Sequence, residues 1–148
     1  MQHIEGIIEN MVVWTAVVAW ALAQFLKVAI EVLKAGRFRP SLMLSTGGMP
    51  SSHTSFMIAM ATAVGLREGF DSTIFAVAAA ISMVVMSDAA GVRRAAGRQA
   101  KVINTLVENI ENTGIILDKK LKELLGHTPV EVACGAVLGI AVAFMMYR

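Results

Sequence analysis

The chain has 148 residues, of which 56% are hydrophobic and 16% are charged, and its formal net charge is +2. A soluble domain is about 45–50% apolar and about 25% charged, so the composition favours a membrane protein; a densely apolar soluble helical protein is the alternative. The small net charge gives no electrostatic footprint for nucleic acid. One cysteine and three histidines lack the spacing of metal ligands, so no metal or cofactor is expected. Cys134, inside an apolar run, is expected to pack.

Four apolar stretches follow one another along the chain, at about residues 11–26, 55–66, 72–87 and 130–147. Each approaches the roughly 20 residues of a membrane crossing once its polar flanks are included. The length suits one domain. We therefore predict a single all-α membrane domain over residues 1–148, a bundle of about four short transmembrane helices at roughly 8–26, 53–68, 71–88 and 129–147.

A further helix is predicted between the third and fourth spans, at roughly residues 98–125. Its apolar residues recur at spacings of mostly three and four, the pattern of an amphipathic helix. Three placements are open: on the membrane surface, over the bundle, or paired with another copy. In the fourth span, Gly135 and Gly139 form a GxxxG spacing, which permits close contact between membrane helices.

The basic residues are unevenly distributed. Eleven of the thirteen lysines and arginines lie in the first and third connections, which share one side of a four-span protein. The positive-inside tendency makes that side cytoplasmic. The same side gathers the polar motifs, and ionisable residues at the ends of membrane helices are a default hypothesis for a functional site.

Three groups of residues carry a resemblance to a known family. They are Arg39-Pro40, then Pro50-Ser51-Ser52-His53, and then a split group, Gly91-Val92-Arg93-Arg94 followed by His127 to Glu131. In this pattern the chain resembles the divergent bacterial branch of the type-2 phosphatidic acid phosphatase and vanadium haloperoxidase superfamily. Ser52 replaces the usual glycine and Glu131 the usual aspartate. Val32 stands where the family has lysine, so Lys27 and Lys34 are the candidates for that role.

The resemblance implies metal-independent hydrolysis of phosphomonoesters through a phosphohistidine. It implies that His127 is the nucleophile, that Glu131 orients its imidazole, and that His53 is the general acid, for which a pKa near 6.5 is suitable. The groups implied or expected to bind the phosphoryl oxygens are guanidinium, ammonium and turn N–H or hydroxyl groups, from Arg39, Arg93, Arg94, Lys34, Lys27, Gly48, Ser51 and Ser52.

The leading hypothesis is therefore a phosphatase of a lipid or polyprenyl phosphate in the bacterial inner membrane, with its site on the cytoplasmic face. The alternative is a catalytically inactive phospholipid-binding or transport protein that retains the phosphate cradle. Halide oxidation is disfavoured, because a chain this short leaves little room for a separate halide site. Four spans make a thin bundle, so a homodimer or larger assembly among membrane lipids is expected.

Overall fold

A computed structural model of the chain describes residues 6, 8–35, 48–111 and 126–148, and only the backbone of residues 34, 35, 93, 94, 110 and 111. The described residues are helical and contain no strand, which confirms the all-α class. The helices are α1 (Met11–Ala35), α2 (Ser52–Glu68), α3 (Thr73–Ser87), α4 (Arg93–Glu111) and α5 (Pro129–Met146). A π-helical segment, Asp88–Val92, joins α3 to α4.

The helices begin where short polar side chains satisfy the first backbone N–H groups. Asn10 Oδ1 accepts from the Val12 N–H at the start of α1. Ser51 and Ser72 accept from Thr54 and Phe75 at the starts of α2 and α3. Such caps satisfy donors that have no partner within the helix, and each stabilises a helix by about 1 kcal/mol.

Helix α2 lies at the centre of the bundle and packs against α1, α3 and α5. It runs parallel to α5, because Ser51 N–H donates to Glu131 O (3.0 Å) and Ser55 Oγ to Gly135 O (2.9 Å). It runs antiparallel to α3, to which Ser82 Oγ connects it through Met57 O (3.0 Å). Lys27, in the C-terminal part of α1, lies against Gly48, which precedes α2. The C-terminal ends of α1 and α3 therefore meet the N-terminal ends of α2 and α5 at one end of the bundle, called the site end below.

The GxxxG pair lies at the α2–α5 contact. A Cβ at Gly135 would come within 2.5 Å of Ser51 O, and one at Gly139 within 2.6 Å of Ser55 O and 2.9 Å of Ala59 N. Only hydrogen fits at these positions, so the two glycines let the backbones of α5 and α2 approach closely. The expected close helix contact is present, and its partner is α2 of the same chain.

Three helices of the described part are long and apolar enough to cross a membrane: Met11–Leu33, Thr73–Asn109 and Pro129–Met146. Their large apolar side chains are widely exposed, Leu33 at 85% and Val84 at 69%, as expected where lipid replaces water. Helix α2, with 17 residues, is shorter. Three of the four predicted spans thus correspond to helices of this kind.

Two sequence-based boundaries differ from the structure. Helix α1 continues to Ala35, nine residues past the predicted end of the first span at 26, so Lys27 lies within a helix. The amphipathic helix begins at Arg93, before the predicted 98, and continues from α3 through the π-helical segment. The 37 residues of Thr73–Asn109 extend for about 55 Å, far beyond a hydrocarbon core of about 30 Å. A straight helix of that length exceeds the core when it runs along the membrane normal. Residues 112–125 fall outside the described residues.

Candidate functional site

His127 is held at the site end by its backbone and its ring. Its N–H donates to Ala89 O in the π-helical segment (3.1 Å), and the residue is only 4% exposed. Its Nδ1 lies 3.2 Å from Glu131 Oε2. His127 precedes Thr128, the cap of α5, so the contact joins a residue outside the helix to its first turn. A neutral imidazole that donates its Nδ1–H to a carboxylate presents the lone pair of Nε2 to a reacting group.

The Glu131 carboxylate is fixed by the start of α5. Its Oε2 accepts the Thr128 N–H (2.9 Å), while Thr128 Oγ1 accepts the Glu131 N–H (3.3 Å). This capping box makes the carboxylate part of the helix terminus. The same oxygen therefore satisfies the helix and contacts the His127 ring, so the ring orientation depends on a rigid element.

Lys27 is a second charged group at this end, and it is only 3% exposed. Its aliphatic chain crosses Gly48, where a Cβ would lie 2.9 Å from Lys27 Cε and 3.3 Å from Cγ. Gly48 also has a φ of 103°, which other residues rarely adopt. The ammonium is near enough to be attracted by Glu131 and Glu31. The structure thus places Lys27, one of the two candidate lysines, beside the His127–Glu131 pair.

The first turn of α2 contributes polar groups that are already engaged. Ser51 is fully buried; its Oγ accepts from the Thr54 N–H (3.4 Å) and Thr54 Oγ1 (3.0 Å). Its own N–H donates to Glu131 O. Ser52 is 6% exposed. The N-termini of α2 and α5 point to the same end, where their dipoles favour an anion.

His53 has a different environment. Its side chain is exposed and lines a cavity of about 600 Å³ between α1, α2 and α3, together with Asp88 and five apolar side chains. Asp88 is the first residue of the π-helical segment, and Ala89 beside it accepts the His127 N–H. The sequence placed residue 88 at the end of the third predicted span and gave no sign that Asp88 and His53 line one cavity.

The predicted site residues thus fall into three groups. Lys27, Gly48, Ser51, His127 and Glu131 are brought together, with Ser52 in the adjoining turn. His53 follows Ser52 but points into the cavity. Arg39 lies outside the described residues, as do the side chains of Lys34, Arg93 and Arg94.

Comparison with known proteins identifies the family of the chain. A family model described as "Divergent PAP2 family" matches residues 8–142. The chain is 40% identical to "Uncharacterized membrane protein YuiD" of Bacillus subtilis (strain 168), over 95% of this chain and 96% of that protein. No solved structure matches significantly. The chain therefore belongs to the divergent PAP2 family.

Proposed function

We propose that this PAP2-related membrane protein hydrolyses the phosphomonoester of a membrane lipid or polyprenyl phosphate through a phosphohistidine at His127. The observation that carries the proposal is the buried imidazole whose Nδ1 lies 3.2 Å from the Glu131 carboxylate, beside buried Lys27. A carboxylate that orients an imidazole and stabilises its cation is the arrangement of a histidine with nucleophilic or basic work to do.

In the first step, His127 Nε2 attacks phosphorus and the bond from phosphorus to the ester oxygen breaks. Glu131 stabilises the positive charge that develops on the ring. His53 gives its proton to the departing alkoxide, so the products of this step are an alcohol, neutral His53 and phosphorylated His127. A histidine whose pKa is near its usual 6.5 suits this role.

In the second step, water attacks the phosphorus of phosphohistidine. Neutral His53 takes a proton from the water, the P–N bond breaks, and inorganic phosphate leaves with His127 restored. The lipid alcohol and phosphate account for all atoms of the ester and water. His53 is the general acid of the first step and the general base of the second, so it must reach the ester oxygen from the mouth of its cavity.

The phosphoryl oxygens require positive charge and N–H donors. Lys27 and the N-termini of α2 and α5 supply part of this from one end of the bundle. The remaining positive charge is assigned to the guanidinium and ammonium groups of Arg39, Arg93, Arg94 and Lys34. The remaining N–H and hydroxyl donors are assigned to the turn that contains Gly48 and Ser52.

We also propose that α2 is a fourth transmembrane span in the bacterial inner membrane. Its 17 residues extend for about 25 Å, slightly less than a hydrocarbon core of about 30 Å. Because three helices surround it, α2 needs less lipid-facing apolar surface than its neighbours. The site end then faces the cytoplasm by the distribution of basic residues, and a homodimer covers part of the thin bundle.

The test is hydrolysis of phosphatidic acid, a polyprenyl phosphate and a soluble aryl phosphate by detergent-purified protein. His127→Ala and His53→Ala should each abolish turnover, whereas His3→Ala, at the remaining histidine, is the matched control. Vanadate, which imitates pentacoordinate phosphorus, should inhibit the wild type. Wild-type turnover that survives His127→Ala would contradict the phosphohistidine mechanism.

One observation favours the second candidate, a non-catalytic phospholipid-binding or transport protein. The Ser51 N–H donates to Glu131 O and its hydroxyl caps α2, so both groups serve packing and fewer donors are left for a transition state. Such a protein would bind phosphomonoester lipids with no turnover. Binding of phosphatidic acid by wild type, lost in Lys27→Met, together with inactivity on all three substrates, would establish it.

A further inference from the structure

We propose that the cavity between α1, α2 and α3 holds the hydrocarbon chain of a lipid phosphomonoester whose phosphate lies at the site end. The inference rests on the proposed binding of a lipid phosphate, and it adds where the chain of that lipid lies and by which side it enters. No step of hydrolysis is needed for it.

The cavity is lined by polar side chains at one end and by apolar side chains elsewhere. Its apolar walls are Trp20 of α1, Phe56 and Met57 of α2, and Val84 and Val85 of α3. Its polar residues are His53 and Asp88. His53 is in the first turn of α2 and Asp88 directly follows α3, so both polar groups lie at the site end. An apolar space with a polar mouth matches an amphiphile with a single polar head.

The dimensions agree with one chain of a lipid. The volume of about 600 Å³ is within the roughly 300–1,000 Å³ of small-molecule sites. Trp20 precedes Lys27 by seven residues of α1, a distance of about 10 Å along the helix. The cavity therefore descends from the level of the phosphate site into the hydrocarbon region.

The bilayer is the source of the occupant. The cavity lies between α1 and α3, two of the helices that are apolar enough to cross a membrane. Trp20 and Val84, which line it, are 45% and 69% exposed, so it opens sideways toward lipid rather than toward water. A chain already in the bilayer reaches it without leaving hydrocarbon, whereas the headgroup stays at the interface beside His53.

The chain offers an optical test that needs no turnover, because it has two tryptophans and only Trp20 lines the cavity. Trp14→Phe leaves Trp20 as the reporter, and Trp20→Phe leaves Trp14 as the matched control on the same helix. Each protein is reconstituted with a diacyl phosphonate that carries bromines on its chains. Bromine quenches indole on contact, and the P–C bond of the phosphonate cannot be hydrolysed. Brominated phosphatidylcholine is the comparison lipid.

We expect Trp20 to be quenched at a mole fraction of the phosphonate about tenfold lower than of phosphatidylcholine, the factor that one charge-assisted hydrogen bond supplies. Trp14 should not distinguish the two lipids. Filling the cavity with Val84→Phe should remove the preference at Trp20, and Met83→Phe, in the same turn but outside the cavity, should leave it intact.

Equal quenching of Trp20 by both lipids would overturn the proposal, as would a preference that survives Val84→Phe. Protection of Trp20 from both lipids at high protein density would instead assign the cavity to a second copy of the chain and would also overturn it. Failure of the proposed hydrolysis is distinguishable, because it appears as inactivity on the aryl phosphate while the selective quenching of Trp20 persists.

Discussion

Replacing Gly135 by alanine should separate α5 from α2 and disturb the site at the same time. The new Cβ would lie 2.5 Å from Ser51 O, so an ordinary contact of 3.4 Å requires a displacement of about 0.9 Å. Overpacking of this kind costs about 1–3 kcal/mol. Two hydrogen bonds cross the same contact, Ser51 N–H to Glu131 O and Ser55 Oγ to Gly135 O, and weakening them adds about 0.5–1.5 kcal/mol each.

We therefore expect Gly135→Ala to lower the free energy of unfolding by about 2–6 kcal/mol. The measurement is helix content against the mole fraction of a denaturing detergent. Gly91→Ala is the matched control, since a Cβ there meets nothing within 4 Å and alanine favours helix by about 0.5–1 kcal/mol. Equal unfolding curves for the two variants would refute the account of the α2–α5 contact.

Three further predictions concern single side chains. Glu131→Gln keeps the capping box, which accepts glutamine, but removes the charge beside His127. Turnover should therefore fall by about 10²–10⁴-fold, while the unfolding curve stays unchanged. Loss of folding would instead assign Glu131 to the helix alone. Lys27→Met should raise the inhibition constant of vanadate by about 10-fold or more, and by more than Lys34→Met does; the reverse order would exchange their roles. Ser82→Ala, which removes the bond to Met57 O, should lower the free energy of unfolding by about 0.5–1.5 kcal/mol; an unchanged value would show that the α2–α3 contact does not depend on it.

Helical class and three long apolar helices follow directly from the sequence, because apolar runs without charge allow few other structures. The cap of α5 is equally local, since Thr128, Pro129 and Glu131 occupy the positions that a capping box and a first turn require. The contact of His127 with Glu131 involves the residue just before that cap, and it was implied by the family resemblance. Interactions within one or two helical turns are thus predictable from residue types and their separation.

The remaining features depend on which helices become neighbours. The end of α1 was placed too early, because a charged residue such as Lys27 normally marks the end of an apolar run. Its burial depends on packing against Gly48, a neighbour distant in sequence. The π-helical segment has no recognised sequence pattern, so Asp88 was read as the end of a span. Its place in the cavity with His53 depends on the relative rotation of α2 and α3, which no local pattern encodes.

Among the four predicted spans, α2 has the weakest membrane signal, and α2 is also the central helix of the bundle. The two facts have one cause. Helix α2 is short, and its first turns bury polar side chains at Ser51, Ser52, Thr54 and Ser55. Small hydroxyl residues lower its hydropathy, but they satisfy one another and the backbone of α5, and they let the helices approach closely. A more apolar α2 would resemble a better span, yet bulky side chains there would hold α5 away and carry the His127–Glu131 pair out of reach of Lys27. The position at the centre of the bundle therefore permits the polarity that the proposed site requires.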